Sequence, residues 1–248
     1  MSLPIKNSVA FVTGSNRGIG RAIVEALLER GAKKVYAAAR NISSLDSLAS
    51  SHPGRVVPVA LDVTNADQIT DVQKIAPDVN LLVNNAGYAV MKDTFAVSDE
   101  DARALFEINY WGPFNLTRAF APAIVENGGG IIVNIASVVA LTNFPFVSSY
   151  SDSKAAVHSL VSGTRLQLAD KGVTVMGVYP GPVDTDMAKD VPMEKSSPQD
   201  VAAEILDGIE SGADEVFPDP FAKTFAAAYF AGHKALELQV AASAAQEA

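Results

Sequence analysis

Seven short apolar runs of strand-forming residues, set apart by stretches of helical spacing, constrain this 248-residue chain more than any other feature. They span Ser8 to Thr13, Lys33 to Ala39, Val56 to Ala60, Asn80 to Val83, Gly130 to Ile135, Val173 to Tyr179 and, more weakly, Glu215 to Phe217. Between Gly18 and Arg30 the apolar positions Ile19, Ile23, Ala26 and Leu27 fall on one helical face. Runs this continuous lack the alternation of a half-solvated strand, so both faces of each are covered. Parallel neighbours need helix-length, right-handed crossovers. The expected fold is α/β: a doubly wound parallel sheet of about seven strands with helices on both faces, a three-layer sandwich. Sheets of this kind take ligands at the carboxyl ends of their strands, so residues just past each run carry the functional interest. The third helix, between Asn65 and Ala76, is short and is followed by Pro77.

Composition narrows the function classes. The sequence has no linker, repeat or low-complexity tract, so residues 1–248 read as one domain. The formal charge of -9 argues against a nucleic-acid partner, which would call for a basic face. The chain has no cysteine, which excludes disulfides, thiol nucleophiles and thiolate metal sites. His52, His158 and His233 fit no ligand spacing, so no metal is expected. No apolar run approaches the roughly 20 residues of a bilayer span, and the first residues lack the pattern of a signal peptide. A cytoplasmic protein without membrane contact is the expectation.

After the first run comes Thr13-Gly14-Ser15-Asn16-Arg17-Gly18-Ile19-Gly20, opening a helix. Glycines there let the backbone turn sharply and approach a pyrophosphate, which free amides and the helix dipole would hold. The spacing, G-x-x-x-G-x-G, differs from the common dinucleotide fingerprint. The second run ends in Arg40, about 20 residues on, where an NAD site would carry a carboxylate. Arg40 and Arg17 instead suit a 2′-phosphate, since a guanidinium pairs with phosphate oxygens in a planar fork. NADP(H) is therefore expected over NAD(H). Asp62-Val63 and Asn84-Asn85-Ala86-Gly87 end the third and fourth runs, where adenine and ribose would lie; helix capping by Asp62 and a plain turn at Asn84 to Gly87 are the alternatives.

Tyr150 and Lys154 lie four residues apart in a helical stretch and share a face. A phenol ordinarily titrates near 10, and a cation within about 4–6 Å lowers it by roughly 1–3 units, toward neutral-range acid/base work. Lys154 is expected to supply that cation. Ser137, ending the fifth run, can donate to an oxygen on which negative charge develops.

Together these residues resemble the short-chain dehydrogenase/reductase family, single-domain type of about 250 residues, over about residues 8–186. The resemblance rests on the glycine motif at 13–20, Asp62-Val63, Asn84 to Gly87, Asn109 in a helix, Ser137 thirteen residues before Tyr150, Lys154, and Pro180-Gly181 with Thr185. It implies a Rossmann-like fold and an alcohol dehydrogenase or carbonyl reductase acting on CH–OH with NAD(P) as acceptor. By the same resemblance Tyr150 is the acid/base, Lys154 binds the nicotinamide ribose and lowers the tyrosine pKa, and Ser137 orients the carbonyl. Asn109 supports a water relay to Lys154, and Pro180, Gly181, Val183 and Thr185 contact the nicotinamide.

The resemblance also makes residues 182–197 a substrate lid, apolar at Met187, Val191, Pro192 and Met193. Tyr88, Val90, Met91, Val138, Phe144 and Phe146 are placed to line the same mouth. The expected substrate is a small-to-medium, rather hydrophobic ketone, aldehyde or secondary alcohol. Tyr110, Trp111, Phe114 and the helix after Tyr150 are similar to subunit-pairing helices of the family, which implies a homodimer or homotetramer. Residues 218–248 are expected as a helical extension. A non-catalytic NADP(H)-binding sensor on the same fold is the competing reading; such a protein would more often have lost Tyr150 or Lys154.

Overall fold

The computed structural model describes residues 4–232 together with residues 236, 238 and 240. β1 (Val9–Thr13), α1 (Gly18–Glu29), β2 (Lys34–Ala39), α2 (Asp46–Ser51) and β3 (Val56–Ala60) build one half of the sheet. α3 (Ala66–Ile75) then crosses back to β4 (Leu81–Asn84). The second half comprises α4 (Asp99–Phe106), α5 (Gly112–Glu126), β5 (Gly130–Ile135), α6 (Ser148–Leu168), β6 (Val173–Val178), α7 (Pro198–Ser211), β7 (Glu215–Val216) and α8 (Pro220–Ala231). The seven strands pair in parallel in the order β3-β2-β1-β4-β5-β6-β7. The chain reverses its direction of travel between β1 and β4, and there a crevice opens at the strands' carboxyl ends.

The expected doubly wound sandwich is what forms, and side-chain alternation along the strands explains why both faces need covering. On β1, Ala10 and Val12 pack with Ile23 and Leu27 of α1 and Ile205 and Ile209 of α7. Val9 and Phe11 face the other way, against Leu116 and Phe120 of α5 and, further along that layer, Val157 and Val161 of α6. These positions are all buried, so β1 is apolar on both sides.

Several strand ends differ by a residue from the sequence expectation. Ser8, Lys33 and Asn80 precede their strands, Asn84 lies inside β4, and Tyr179 and Phe217 lie past β6 and β7. Burial outlasts the ladder at those last two positions, because the Tyr179 ring stacks on Phe217 at 5.3 Å and is fully enclosed. α3 is capped by Asn65, whose side chain accepts from Gln68 N, and not by Asp62, which instead accepts from Thr64 N and Oγ1. Of the expected C-terminal extension, α8 ends at Ala231, and residues 233–235, 237, 239 and 241–248 lie outside the described residues. Among the described residues no helix is long and apolar enough to cross a membrane, and no group of three His, Cys, Asp or Glu side chains is placed to hold a metal.

Candidate active site

A cleft of about 1050 Å³ follows the carboxyl ends of the strands, and every expected site residue lines it except Asn84 and Asn109. Its floor at one end is the β1–α1 turn. Gly14 and Gly18 hold φ of +66° and +54°, conformations that side-chain-bearing residues rarely adopt. Gly20 faces a tighter limit, since a Cβ there would collide with the carbonyl oxygen of Gly14 and with Asn85 Nδ2. The first-turn amides of α1 have no partners within the helix and point into a space bounded by bare backbone. That cradle fits a pyrophosphate.

Two arginines border this end. Arg17 Nη1 is held by Asp186 Oδ2 at 2.7 Å, so it bridges the glycine turn to the segment after β6. Thr185 of that segment packs its methyl 3.1 Å from where a Cβ on Gly18 would stand. Arg40, just past β2, is exposed and, among the described residues, has no ion-pair or hydrogen-bond partner.

The end of β4 organises the next part of the cleft. Thr13 Oγ1 accepts from both Asn85 N and Ala86 N at 2.9 Å, and Asn85 Nδ2 donates to Thr13 O at 2.8 Å. These bonds pin Asn85, Ala86 and Gly87 against β1. Asn84 turns the other way: its amide donates to Asn134 Oδ1 at 2.9 Å and to Thr117 inside the sheet layer, with its side chain away from the cleft. Asn109 is also withdrawn. It sits in a π-helical turn, Glu107–Trp111, between α4 and α5. Its Oδ1 accepts from Tyr88 N, and its Nδ2 donates to Tyr88 O and to Ser153 Oγ at 3.0 Å. Ser153 in turn donates to Tyr150 O at 2.8 Å. Asn109 thus ties the segment after Gly87 to the helix that carries Tyr150 and Lys154.

Those two residues occupy the first two turns of α6. Lys154 Nζ donates to Ile135 O at 2.8 Å and lies 5.7 Å from the centroid of the Tyr150 ring. Burial lowers the ammonium pKa to about 8. Burial likewise pushes the Tyr150 phenol up to about 12, against hydrogen bonding with Ser137 that pulls it down. The sequence had Lys154 lowering the tyrosine pKa; here desolvation outweighs any such effect, and the lysine is drawn toward the backbone of β5. The single Ser137 hydroxyl proton is donated to Pro180 O at 3.2 Å, joining the end of β5 to the turn after β6.

The rest of the cleft is mainly apolar, with Glu100, Asp101, Lys189 and Asp190 also in its lining. Tyr88, Met91, Val138, Phe144, Phe146, Met187, Val191 and Met193 line it, as the sequence suggested, whereas Val90 and Pro192 do not. Phe221 of α8 joins them, a residue that sequence reasoning passed over. Its ring stacks on Phe225 at 4.8 Å, and Phe225 lies 5.5 Å from Phe144, giving one aromatic wall. The pattern Asp219-Pro220 after a short strand, an N-cap followed by a first-turn proline, was the available signal for α8. Residues 182–197 return on themselves, with Ser196 N donating to Pro182 O and Asp184 N to Ser196 O.

Comparison with known proteins agrees with this geometry. Residues 8–196 match the family model for short chain dehydrogenase. A 3-oxoacyl-[acyl-carrier-protein] reductase of Synechocystis is 34% identical over 195 residues, 75% of this chain and 78% of that protein. An uncharacterized oxidoreductase of Staphylococcus aureus is 32% identical over 82% of this chain and 90% of its own. Among solved structures, a Burkholderia cenocepacia short chain dehydrogenase in complex with NADP is 41% identical, with a TM-score of 0.90 over 96% of this chain and 99% of that one. A Burkholderia phymatum short chain dehydrogenase/reductase in complex with NAD is 26% identical, with a TM-score of 0.83 over 96% of each chain. With the sheet order, the glycine cradle and the Ser137, Tyr150 and Lys154 cluster in place, the match over most of its length means that this chain belongs to the short-chain dehydrogenase family.

Proposed function

We propose that the protein is an NADP(H)-dependent oxidoreductase that interconverts an uncharged, rather hydrophobic ketone or aldehyde and the corresponding secondary or primary alcohol. The observation that carries this reading is the continuity of one cleft from the glycine cradle to the paired hydroxyls of Ser137 and Tyr150 and on to an apolar, aromatic wall. When bound, the nicotinamide supplies or accepts the hydride. Tyr150 gives its proton to the carbonyl oxygen, and Ser137 donates a hydrogen bond to the same oxygen. The partial burial that raises the Tyr150 phenol and keeps it protonated through the neutral range favours reduction. Lys154 holds the ribose and stands behind the phenol as a cation, and Asn109, with both amide atoms committed, fixes the helix and supports a water relay to that lysine. Residues 182–197 act as the lid over the substrate.

The absence of a carboxylate at the end of β2 and the presence of Arg40 there support NADP(H) over NAD(H), as does the NADP carried by the 41% identical structure. Arg17 joins Arg40 at a 2′-phosphate once its pairing with Asp186 is exchanged. The cluster of exposed Trp111 with half-buried Tyr110 and Phe114, ring centroids 5.0–5.9 Å apart, supports self-association as a dimer or tetramer.

The test is a panel of ketones, aldehydes, alcohols and 3-oxoacyl thioesters, followed at the reduced-nicotinamide absorbance with both cofactors. Apolar ketones with NADPH should turn over, Tyr150→Phe should lose at least about a hundredfold, and Arg40→Ala should weaken NADPH but not NADH. Full activity in Tyr150→Phe would sink the mechanism, and a preference for NADH would sink the cofactor assignment.

A further inference from the structure

Asp219 is a carboxylate only 2% exposed, at the start of α8, with no ion pair among the described residues. A buried charge of this kind is costly unless both oxygens are satisfied. Here each has one task. Oδ1 accepts from Ala222 N at 2.8 Å and caps the helix, and Oδ2 accepts from Gly181 N at 2.8 Å, 38 residues back in the chain. Capping alone would be served equally well by serine or asparagine. The second bond calls for a second acceptor on the same side chain, which only a carboxylate provides.

What that second bond holds is the Pro180-Gly181 peptide. Pro180 O accepts from Ser137 Oγ at 3.2 Å and from Val138 N at 3.1 Å. Gly181 is seated so closely on α8 that a Cβ would come 2.7 Å from Phe221 and 2.8 Å from Asp219 Oδ1. The path from the α8 cap to the hydroxyl of Ser137 is therefore two hydrogen bonds and one peptide unit long. We propose that Asp219 is a positioning residue for Ser137: by anchoring Gly181 N it fixes Pro180 O, and Pro180 O, through Val138 N and its contact with Ser137 Oγ, fixes where the serine stands beside Tyr150, its single proton resting on Pro180 O until it turns onto the substrate oxygen. The proposal rests on the reading of Ser137 as the donor to the substrate carbonyl.

The test is a double-mutant cycle on the full-length protein with the best ketone from the panel. Asp219→Asn keeps one oxygen for Ala222 N and presents an amide donor to Gly181 N, so the cap survives and the anchor does not. It should lower kcat by roughly tenfold to a hundredfold, with NADPH affinity measured by fluorescence titration within about twofold. In a Ser137→Ala background the same change should cost under about twofold, because nothing remains to be positioned. Amide exchange at Gly181 should speed up in Asp219→Asn irrespective of turnover. Equal losses in the two backgrounds would overturn the proposal, as would a slowly exchanging Gly181 amide in Asp219→Asn. Asp219→Ser, which also caps but cannot span to Gly181, should reproduce Asp219→Asn; wild-type kcat in either variant refutes the role. If the wild-type protein itself reduces no carbonyl, it is the functional reading that fails, and the Gly181 exchange still reports on the anchor.

Discussion

Lys154 is the residue at which stability and chemistry part company. Its ammonium is desolvated and its pKa falls from 10.5 to about 8. The unfolded chain binds that proton more tightly than the folded one, so folding carries the full penalty below about pH 8. The penalty fades as pH climbs from about 8 to about 10.5. Set against Lys154→Met, which lacks the titration, the wild-type protein should gain up to about 3 kcal/mol across that window. Urea unfolding of both proteins at pH 7.5, 9 and 10.5 measures it, and a constant difference would mean that the lysine is not desolvated. Tyr150 has the opposite sign. Its phenol stays protonated until well above neutrality, so ketone reduction should be flat in pH from 6 to 9 while alcohol oxidation, which needs the phenolate, rises over the same range. Parallel profiles in the two directions would contradict this. The candidate residues could be picked out because they sit just past strands or four apart on one helix. Their electrostatics were not: the spacing of Tyr150 and Lys154 shows a shared helical face, while the pull of Ile135 O on the lysine comes from a strand 19 residues earlier.

The β1–α1 connection shows what one element demands of its sequence. Gly20→Ala drives a methyl group into Gly14 O, and relief requires the turn to open. It should cost about 1–3 kcal/mol and weaken NADPH binding more than it lowers the melting temperature. Calorimetry and cofactor titration separate the two, and an unimpaired affinity would show that the cradle tolerates a side chain. This element was readable from glycine spacing alone. For α8 only a helix within residues 218–248 was readable, and not its place at the cleft, because Phe221 and Asp219 gain their meaning only when the sheet folds α8 against Gly181. Asn84 misled for a related reason: adjacent asparagines look alike in sequence, but the strand's alternation sends Asn84 into the sheet layer and leaves Asn85 at the cradle.

For the molecule as a whole, one sheet serves two cores, with Phe120 fully buried on one side and Ile205 on the other. Phe120→Ala should cost about 3–5 kcal/mol and Ile205→Ala about 2–5 kcal/mol. Because the strands are common to both layers, fluorescence and circular dichroism should report the same shifted midpoint in each variant; separate transitions would mean that the layers melt independently. Self-association through the aromatic cluster around Trp111 predicts that Trp111→Glu sediments as a smaller species than the wild-type protein at equal concentration. A parallel sheet of about seven strands covered on both faces was evident from the seven runs, whereas the strand order came only with the structure, and partner surfaces were only implied, since an exposed tryptophan reads the same whether or not a second subunit covers it.

The bridge from Arg17 to Asp186 has a kinetic meaning. It spans the cleft between the glycine turn and the segment after β6, and both of its side chains are about two-thirds exposed. An ion pair in that setting contributes at most about 1 kcal/mol, so its made and broken forms coexist at a ratio no greater than roughly five to one. A dinucleotide approaching the cleft therefore meets a latch that is off its catch a sizeable fraction of the time, and entry is governed by encounter rather than by waiting for a door. Each rise in ionic strength loosens that latch further, so the rate at which cofactor comes and goes is tuned by salt even where the chemistry at Tyr150 is not.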